Sequence, residues 1–260
     1  MSWRELDAEL DRWRDAGRIA DFWWRDDDAA KPSPPLTRLL EISEASGAPI
    51  ALAVVPLEAV PELFSGLKAR VLMHGTDHRN RAAPGEKKTE FAAAESDGDA
   101  VARLCIARKR LAGQAGKRFV PVLAPPWNRF KRPLATRLPE AGLYGLSGYG
   151  PRDRAEAAPG VRQVNTHVDI VDWRGTRGFV GEDVALRMAL EHLASRRKGA
   201  VDAAEPTGWL THHALHDRET WEFLQRLFEH FQFSEEHRQF RVLLGFRERP
   251  VQRRAVDLAL

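Results

Sequence analysis

The sequence predicts an α/β fold, a single-domain (β/α) barrel of about seven strands. Segments with strand character alternate with segments of helical periodicity along nearly the whole chain, which is typical of a parallel sheet. A length of 260 residues suits one barrel, which commonly fills about 250 residues. No repeat, linker or low-complexity tract divides the sequence, so we expect one domain over residues 1–260.

Helices are predicted where apolar residues recur at helical spacing. Trp3, Leu6, Leu10 and Trp13 carry the first helix, and Gly17 ends it. The other helices are expected at residues 36–45, 59–67, 100–111, 134–141, 182–197 and 219–231.

Strands are predicted where short apolar runs lie between these helices. They are expected at 19–25, 49–55, 70–73, 119–123, 144–147, 161–168 and 209–212, with a last apolar run at 240–246. Residues 82–98 mix Gly, Lys and acidic residues and are predicted to form a loop. Because reactive groups in such folds lie at the carboxyl ends of the strands, the residues that end each strand are the candidate site residues.

The composition excludes several classes of function. Forty Lys and Arg against 37 Asp and Glu leave a net charge of +3, too small to indicate nucleic-acid binding. The single cysteine excludes a disulfide framework and a Cys-rich zinc module, so a metal would need nitrogen and oxygen ligands. The longest apolar run, 48–60, falls short of the roughly 20 residues of a membrane span. Residues 1–13 lack the apolar segment of a secretory signal, so we expect a cytoplasmic protein with a motif-bearing core at 19–246 and a basic tail at 247–260.

The first predicted strand runs into three adjacent carboxylates, Asp26, Asp27 and Asp28. Three such charges repel one another unless a cation or hydrogen-bond donors neutralise them, and a hard metal ion does so well. A solvated acidic turn is the alternative interpretation. The aromatic residues before the triplet make that alternative less natural, because the segment enters from an apolar strand.

The third predicted strand runs into His74, and His78 follows one helical turn later. Histidines at positions i and i+4 lie on one face of a helical turn, where both can bind one metal ion. Two imidazoles, one carboxylate and an open position for water are typical of a catalytic zinc site. A polar loop with two unrelated histidines is the alternative.

Three further strand ends carry proline, aromatic, acidic and histidine residues. A rigid Pro-Pro-Trp turn either lines a pocket or packs as a loop, and a histidine-rich segment follows the last informative strand. Histidine is well suited to general acid catalysis near neutral pH. The residues concerned are Pro126, Trp127, His167, Asp172, Trp173, Leu210, His212 and His213.

Taken in chain order, these pieces resemble the five motifs of the polysaccharide deacetylase family, carbohydrate esterase family 4, whose fold is a distorted (β/α) barrel. The resemblance spans roughly residues 22–217. It rests on the Asp pair Asp27-Asp28, the His-x-x-x-His motif of His74 and His78, the turn of Pro125, Pro126 and Trp127, the pair Asp172-Trp173, and Leu210-Thr211-His212.

The resemblance implies a role for each matching residue. Asp27 would be the general base and His212 the general acid. A divalent metal, which we expect to be zinc with cobalt, nickel or manganese as alternatives, would be held by Asp28, His74 and His78. The residues implied to bind substrate are Pro126, Trp127, Asp172, Trp173 and Leu210.

The sequence departs from the family pattern at three places. Ala29 stands where a glycine usually follows the Asp pair, and Ala124 stands where the family has the arginine that orients the base. Arg25 or Arg129 is left to supply that orientation. The third acid leaves Asp26-Asp27 open as the alternative pair, and His167 and His213 are additional candidates.

We therefore predict a metal-dependent hydrolase of a non-peptide amide, most simply an N-acetyl group on a sugar or a related small molecule. The expected partner is a small-molecule or oligosaccharide substrate, with neither nucleic acid nor membrane. The alternative from another class is a non-catalytic carbohydrate-binding or regulatory protein on the same fold, which the missing arginine motivates. The sequence does not predict the oligomeric state.

Overall fold

The computed structural model describes residues 2–232 and 238–240. The predicted apolar run at 240–246 and the basic tail at 247–260 lie outside the described residues, apart from the backbone of Phe240. One domain over 1–260 stays a prediction. The strands are β1 (Ala20–Ala29), β2 (Ile50–Val54), β3 (Arg70–His74), β4 (Phe119–Ala124), β5 (Gly145–Leu146), β6 (Glu156–Ala158), β7 (Val161–Gln163), β8 (Val168–Asp169), β9 (Thr207–Thr211) and β10 (Arg238–Phe240).

The strands form one sheet in the order β6-β7-β5-β4-β3-β2-β1-β9-β8, and β10 pairs with the beginning of β1. Every neighbouring pair is parallel except β6 and β7. A single parallel bridge between Tyr149 and Thr166 joins the segment after β5 to the segment before β8. The predicted distorted (β/α) barrel is confirmed. It has more strands than expected because the predicted strand at 161–168 divides into β7 and β8, and because β6 is additional.

Five α-helices lie along the chain: α1 (Trp3–Asp15), α2 (Pro34–Ser46), α3 (Asp97–Ala115), α4 (Glu182–Lys198) and α5 (Arg218–Gln232). Side-chain caps set two of the starts, since Ser33 accepts from the N–H of Leu36 and Ser96 accepts from that of Asp99. The helices expected at 59–67 and 134–141 are instead 3-10 helices at Pro61–Phe64 and Arg132–Ala141. Proline fits the start of such a turn but lacks the N–H that a continuing α-helix needs. Within the described residues, no helix is long and apolar enough to span a membrane.

Two apolar cores position the site. The outer core packs the helices against the outside of the sheet, and the inner core fills the barrel around Trp23. Side chains alternate between the two faces of a strand, so Trp23 lies inside the barrel whereas Trp24 belongs to the outer core. The same alternation assigns Arg25 and Asp27 to the inner face and Asp26 to the outer face.

Candidate active site

Three predicted metal ligands meet at the carboxyl ends of β1 and β3. Asp28 lies near the end of β1, His74 ends β3, and His78 lies in the turn that follows. Oδ1 of Asp28 lies 3.1 Å from Nε2 of His74 and 3.3 Å from Nε2 of His78. All three ligand atoms lie within 4.8 Å of one another. Two imidazole nitrogens and one carboxylate oxygen at this spacing can bind one metal ion.

The hydrogen bonds of His74 fit a cation at this position. Nδ1 of His74 lies 3.0 Å from the carbonyl oxygen of Ala124, which can only accept, so Nδ1 carries a proton. A neutral His74 therefore turns the lone pair of Nε2 towards the Asp28 carboxylate. Two acceptors 3.1 Å apart need a cation between them, either a second proton or a metal ion. A backbone carbonyl on the far nitrogen is also the usual support of a metal-binding histidine.

The pKa values agree with this need for positive charge. Burial alone would raise the pKa of Asp28, but the hydrogen bond and charge of His74 hold it far below its usual range, so the carboxylate is ionised. Burial would lower the pKa of His74, but the charges of Asp27 and Asp28 outweigh burial and raise it. The cluster is thus a carboxylate that attracts a cation, with two imidazoles beside it.

Left-handed backbone conformations concentrate around this cluster. Asp28 has φ 72°, His78 has φ 53°, and Trp127 and Asn128 have φ 57° and 53°. Residues other than glycine rarely adopt such values, and their strain is typically found at functional sites. At Asp28 the strain coincides with a register shift between β1 and β2, which releases the side chain from the strand alternation.

Arg25 orients Asp27. The Arg25 guanidinium is fully buried, and its Nε and Nη2 lie 2.8 and 2.9 Å from the two oxygens of the Asp27 carboxylate. Nη1 donates to the Ser147 hydroxyl at 2.7 Å, and Nη2 also donates to Oδ1 of Asn128 at 2.8 Å. A two-pronged arginine held at both sides fixes the plane of the carboxylate. Arg129, the other candidate for this role, is exposed and donates to the Lys88 carbonyl instead.

Asp26 belongs to a separate buried pair, so the alternative pair Asp26-Asp27 is wrong for the metal side of the site. Oδ1 of Asp26 lies 2.5 Å from Nδ1 of His213, and Oδ2 accepts from the Thr211 hydroxyl and from the backbone N–H of His213. Burial would raise the pKa of Asp26, but the charge and hydrogen bond of His213 outweigh it and lower the pKa. Both residues point to the outer face of the sheet and away from the metal cluster.

His212 lies at the opposite side of the mouth, after β9. Its ring is buried and contacts Trp173 edge to face at a centroid distance of 4.8 Å. Nδ1 of His212 has no hydrogen-bond partner among the residues that the structure describes. The Trp173 indole N–H donates to Asp169 at 2.7 Å, and the Trp173 side chain is 42% exposed. The site therefore has a histidine and an accessible aromatic surface together.

The remaining predicted substrate contacts have other partners. The Asp172 carboxylate caps a turn by accepting from the backbone N–H groups of residues 174–176, and Leu210 is fully buried beside Arg25 in the sheet. Pro126 is buried too, whereas the Trp127 ring packs on the His78 ring at 4.5 Å. Trp173 is thus the best placed of the predicted substrate residues to contact a ligand.

His167 lies outside this site. It belongs to a buried cluster with His192 and Glu205, whose ligand atoms also lie within 4.8 Å of one another. Thr207 in the same region pairs with Phe22, six residues before Asp28 on β1, which is a separation of roughly 20 Å along the strand. Nδ1 of His167 accepts from the backbone N–H of Gly208, so its proton sits on Nε2 and faces Glu205 at 3.3 Å. Metal binding would need that nitrogen unprotonated, so the hydrogen bonds oppose a second metal site.

Sequence reasoning missed three residues that shape the site. Asn128 and Ser147 hold Arg25, and Asp169 contacts Trp173. Burial raises the pKa of Asp169, with the Asp27 charge in the same direction and His212 opposing it, so Asp169 shares the electrostatics of this mouth. Asp169 stands three residues before Asp172, and its position at the end of β8 was the available signal. Asn128 and Ser147 gave no signal of their own.

The structure matches solved structures although the sequence matches no protein-family model. No curated protein matches it in sequence either. A protein from Mycobacterium smegmatis described as a polysaccharide deacetylase superposes with a TM-score of 0.62 and 15% identity, covering 86% of this chain and 87% of that one. The chain has the polysaccharide deacetylase fold. A peptidoglycan N-acetylglucosamine deacetylase, Bc1960, matches with a TM-score of 0.54 and 12% identity over 88% and 94% of the two chains.

The deacetylase fold also includes a protein described as an allantoinase. It superposes with a TM-score of 0.58 and 15% identity, covering 85% of this chain and 87% of that one. At such low identities the comparisons show the fold alone. The activity of this chain must therefore be argued from its own residues.

Proposed function

We propose that the protein is a metal-dependent hydrolase of a non-peptide amide, most simply a deacetylase of an N-acetylated sugar or a related small molecule. One observation carries the proposal. A metal-type cluster of Asp28, His74 and His78 lies next to a carboxylate, Asp27, that an arginine holds from behind. A histidine faces the same mouth from the next strand in the sheet. These are the parts that amide hydrolysis by activated water requires.

The donor set favours a divalent transition metal, and zinc is our first choice. When bound, such an ion supplies a Lewis acid and a water of lowered pKa. Cobalt, nickel and manganese are the alternatives, since nitrogen and oxygen donors accept all of them.

Asp27 takes the proton of the attacking water in this proposal. Its two oxygens contact Arg25, which fixes the plane of the carboxylate and leaves its outer lone pairs for a water. Ala124, at the position of the family's orienting arginine, makes no such contact possible, and Arg25 supplies it from the same strand as the base. The observation that motivated a non-catalytic carbohydrate-binding protein is therefore removed.

His212 donates a proton to the leaving amine. It lies beside Trp173, whose exposed indole offers a flat apolar face of the kind that packs on sugar rings. Deacetylases and an allantoinase occur among the similar folds, and all of these names describe hydrolysis at a carbon–nitrogen bond. Their names support the reaction class, whereas the substrate of this chain must be found by assay.

The test measures metal content and acetate release from N-acetylated sugars, with protein purified without chelator. Asp27→Asn should retain the metal and lose about 100-fold to 10,000-fold in kcat, because the base is removed while the ligands stay. Asp153→Asn, which changes an exposed carboxylate paired with Arg132, is the matched control and should keep full activity. Less than about half an equivalent of metal, with no rescue by zinc, cobalt or nickel, would contradict the proposal. Sugar binding without acetate release would favour the non-catalytic alternative.

A further inference from the structure

The loop at residues 82–96 sends one carboxylate into the protein interior. Glu90 is fully buried although its neighbours along the loop are mostly exposed. A buried carboxylate is costly unless cations and hydrogen-bond donors surround it. Its environment therefore shows what the burial achieves.

The Glu90 carboxylate binds the turn between the two histidine ligands. Oε1 accepts from the backbone N–H of Thr76 at 2.7 Å and from the Thr76 hydroxyl, and Oε2 accepts from the backbone N–H of His78 at 3.2 Å. One carboxylate thus satisfies successive backbone donors of the His-x-x-x-His turn. These donors would otherwise have no partner in a buried, non-helical turn.

The neighbouring residues leave space for Glu90 and for nothing larger. Gly75 has φ 61°, and a Cβ built there would collide with Oε2 of Glu90 and lie 2.7 Å from the ring of Pro126. Arg103 of α3 donates to Oε1 of Glu90 at 2.7 Å and to Glu95 at 2.9 Å. The arginine supplies the compensating charge, and the loop is tied to α3 at two points.

We infer that Glu90 is a positioning residue for the metal ligand His78. The inference rests on the proposed metal site. His78 has a left-handed backbone, φ 53°, which an isolated turn would abandon, and the hydrogen bond from its N–H to Glu90 is the contact that holds this conformation. Because that conformation sets the direction of the imidazole, Glu90 controls the geometry at which His78 meets Asp28.

The test is the zinc affinity of the folded protein, measured by calorimetry, with the cobalt absorption spectrum as a second readout of ligand geometry. Glu90→Gln keeps the volume but gives the turn an amide N–H₂ where it needs an acceptor. We expect the zinc Kd to rise about 10-fold to 100-fold, the usual effect of losing a contact behind a ligand, and the cobalt spectrum to change. Glu95→Gln is the matched control, because Glu95 also pairs with Arg103 but has no contact with the turn in the described part of the chain.

Each outcome decides. Equal zinc affinities for Glu90→Gln, Glu95→Gln and the wild type would overturn the inference while leaving the metal site intact. A wild-type protein that binds no metal would instead overturn the proposed function. If Glu90→Gln is recovered unfolded, Glu90→Asp provides the same comparison with the charge kept. If that variant also fails to fold, Glu90 serves the fold rather than the ligand, and the inference is wrong.

Discussion

Acid should destabilise the protein through His192, a residue far from the candidate active site. The His192 ring is 5% exposed, stacks on the His167 ring at a centroid distance of 3.4 Å, and contacts the Thr207 hydroxyl through Nδ1. Burial lowers the pKa of His192 to about 2, and the charges of His167 and Arg196 act in the same direction. The folded protein therefore keeps this imidazole neutral at every physiological pH.

The sign of the effect follows from the two pKa values. The unfolded chain has a histidine of pKa 6.5, which binds a proton below that pH, whereas the folded protein does not bind one until about 2. Stability from this group is complete above pH 6.5 and is lost as the pH falls. Between pH 8 and pH 5 the loss amounts to about 2 kcal/mol. The pKa of His167 is lowered as well, which adds a loss of the same sign.

Urea unfolding followed by tryptophan fluorescence measures this loss. The unfolding free energies of the wild type and of His192→Gln are compared at pH 8 and at pH 5. Glutamine cannot titrate, so other ionisable groups cancel and the lost contacts give a constant offset. The stability advantage of the wild type should shrink by about 2 kcal/mol at pH 5. Parallel pH profiles for the two proteins would refute the assignment of a buried neutral imidazole.

Two further predictions concern the candidate active site. Arg25→Lys should lower kcat about 10-fold or more without loss of metal, because a lysine cannot hold both oxygens of the Asp27 carboxylate; steady-state kinetics and metal analysis together test this, and unchanged kcat would show that Asp27 is oriented by other groups. Trp173→Phe keeps an aromatic face but removes the indole N–H that binds Asp169, so KM should change less than for Trp173→Ala; equal KM values for the two variants would show that the aromatic face does not contact the substrate.

The sequence predicted the fold class and the metal cluster for the same physical reason. Alternating strands and helices imply parallel strands, and parallel strands bring their carboxyl ends to one mouth, so Asp28, His74 and His78 could be joined before any coordinates. The residues that support them could not be predicted in this way. Asn128 reaches Arg25 through a left-handed turn, and Glu90 reaches the His78 turn from a loop without periodicity. Such contacts depend on local backbone geometry that residue spacing does not encode.

His167 shows the opposite error. Its histidine, the nearby acids and a following strand made it resemble a site residue, yet it precedes β8 rather than ending it. A residue before a strand lies at the amino ends of the sheet, opposite the mouth. The predicted strand at 161–168 concealed this, because it placed His167 at a carboxyl end.

The three adjacent carboxylates of β1 are compatible because the strand separates them. Asp26 turns to the outer face and pairs with His213, Asp27 turns inward and pairs with Arg25, and Asp28 leaves the alternation through its left-handed backbone. Each charge thus has its own cation-bearing partner, and the like charges point apart rather than together. Only the third is left facing two imidazoles with an unfilled need for positive charge. The strand therefore assigns Asp26 to stability, Asp27 to the base and Asp28 to the metal, and the order of the triplet follows from alternation and one bulge.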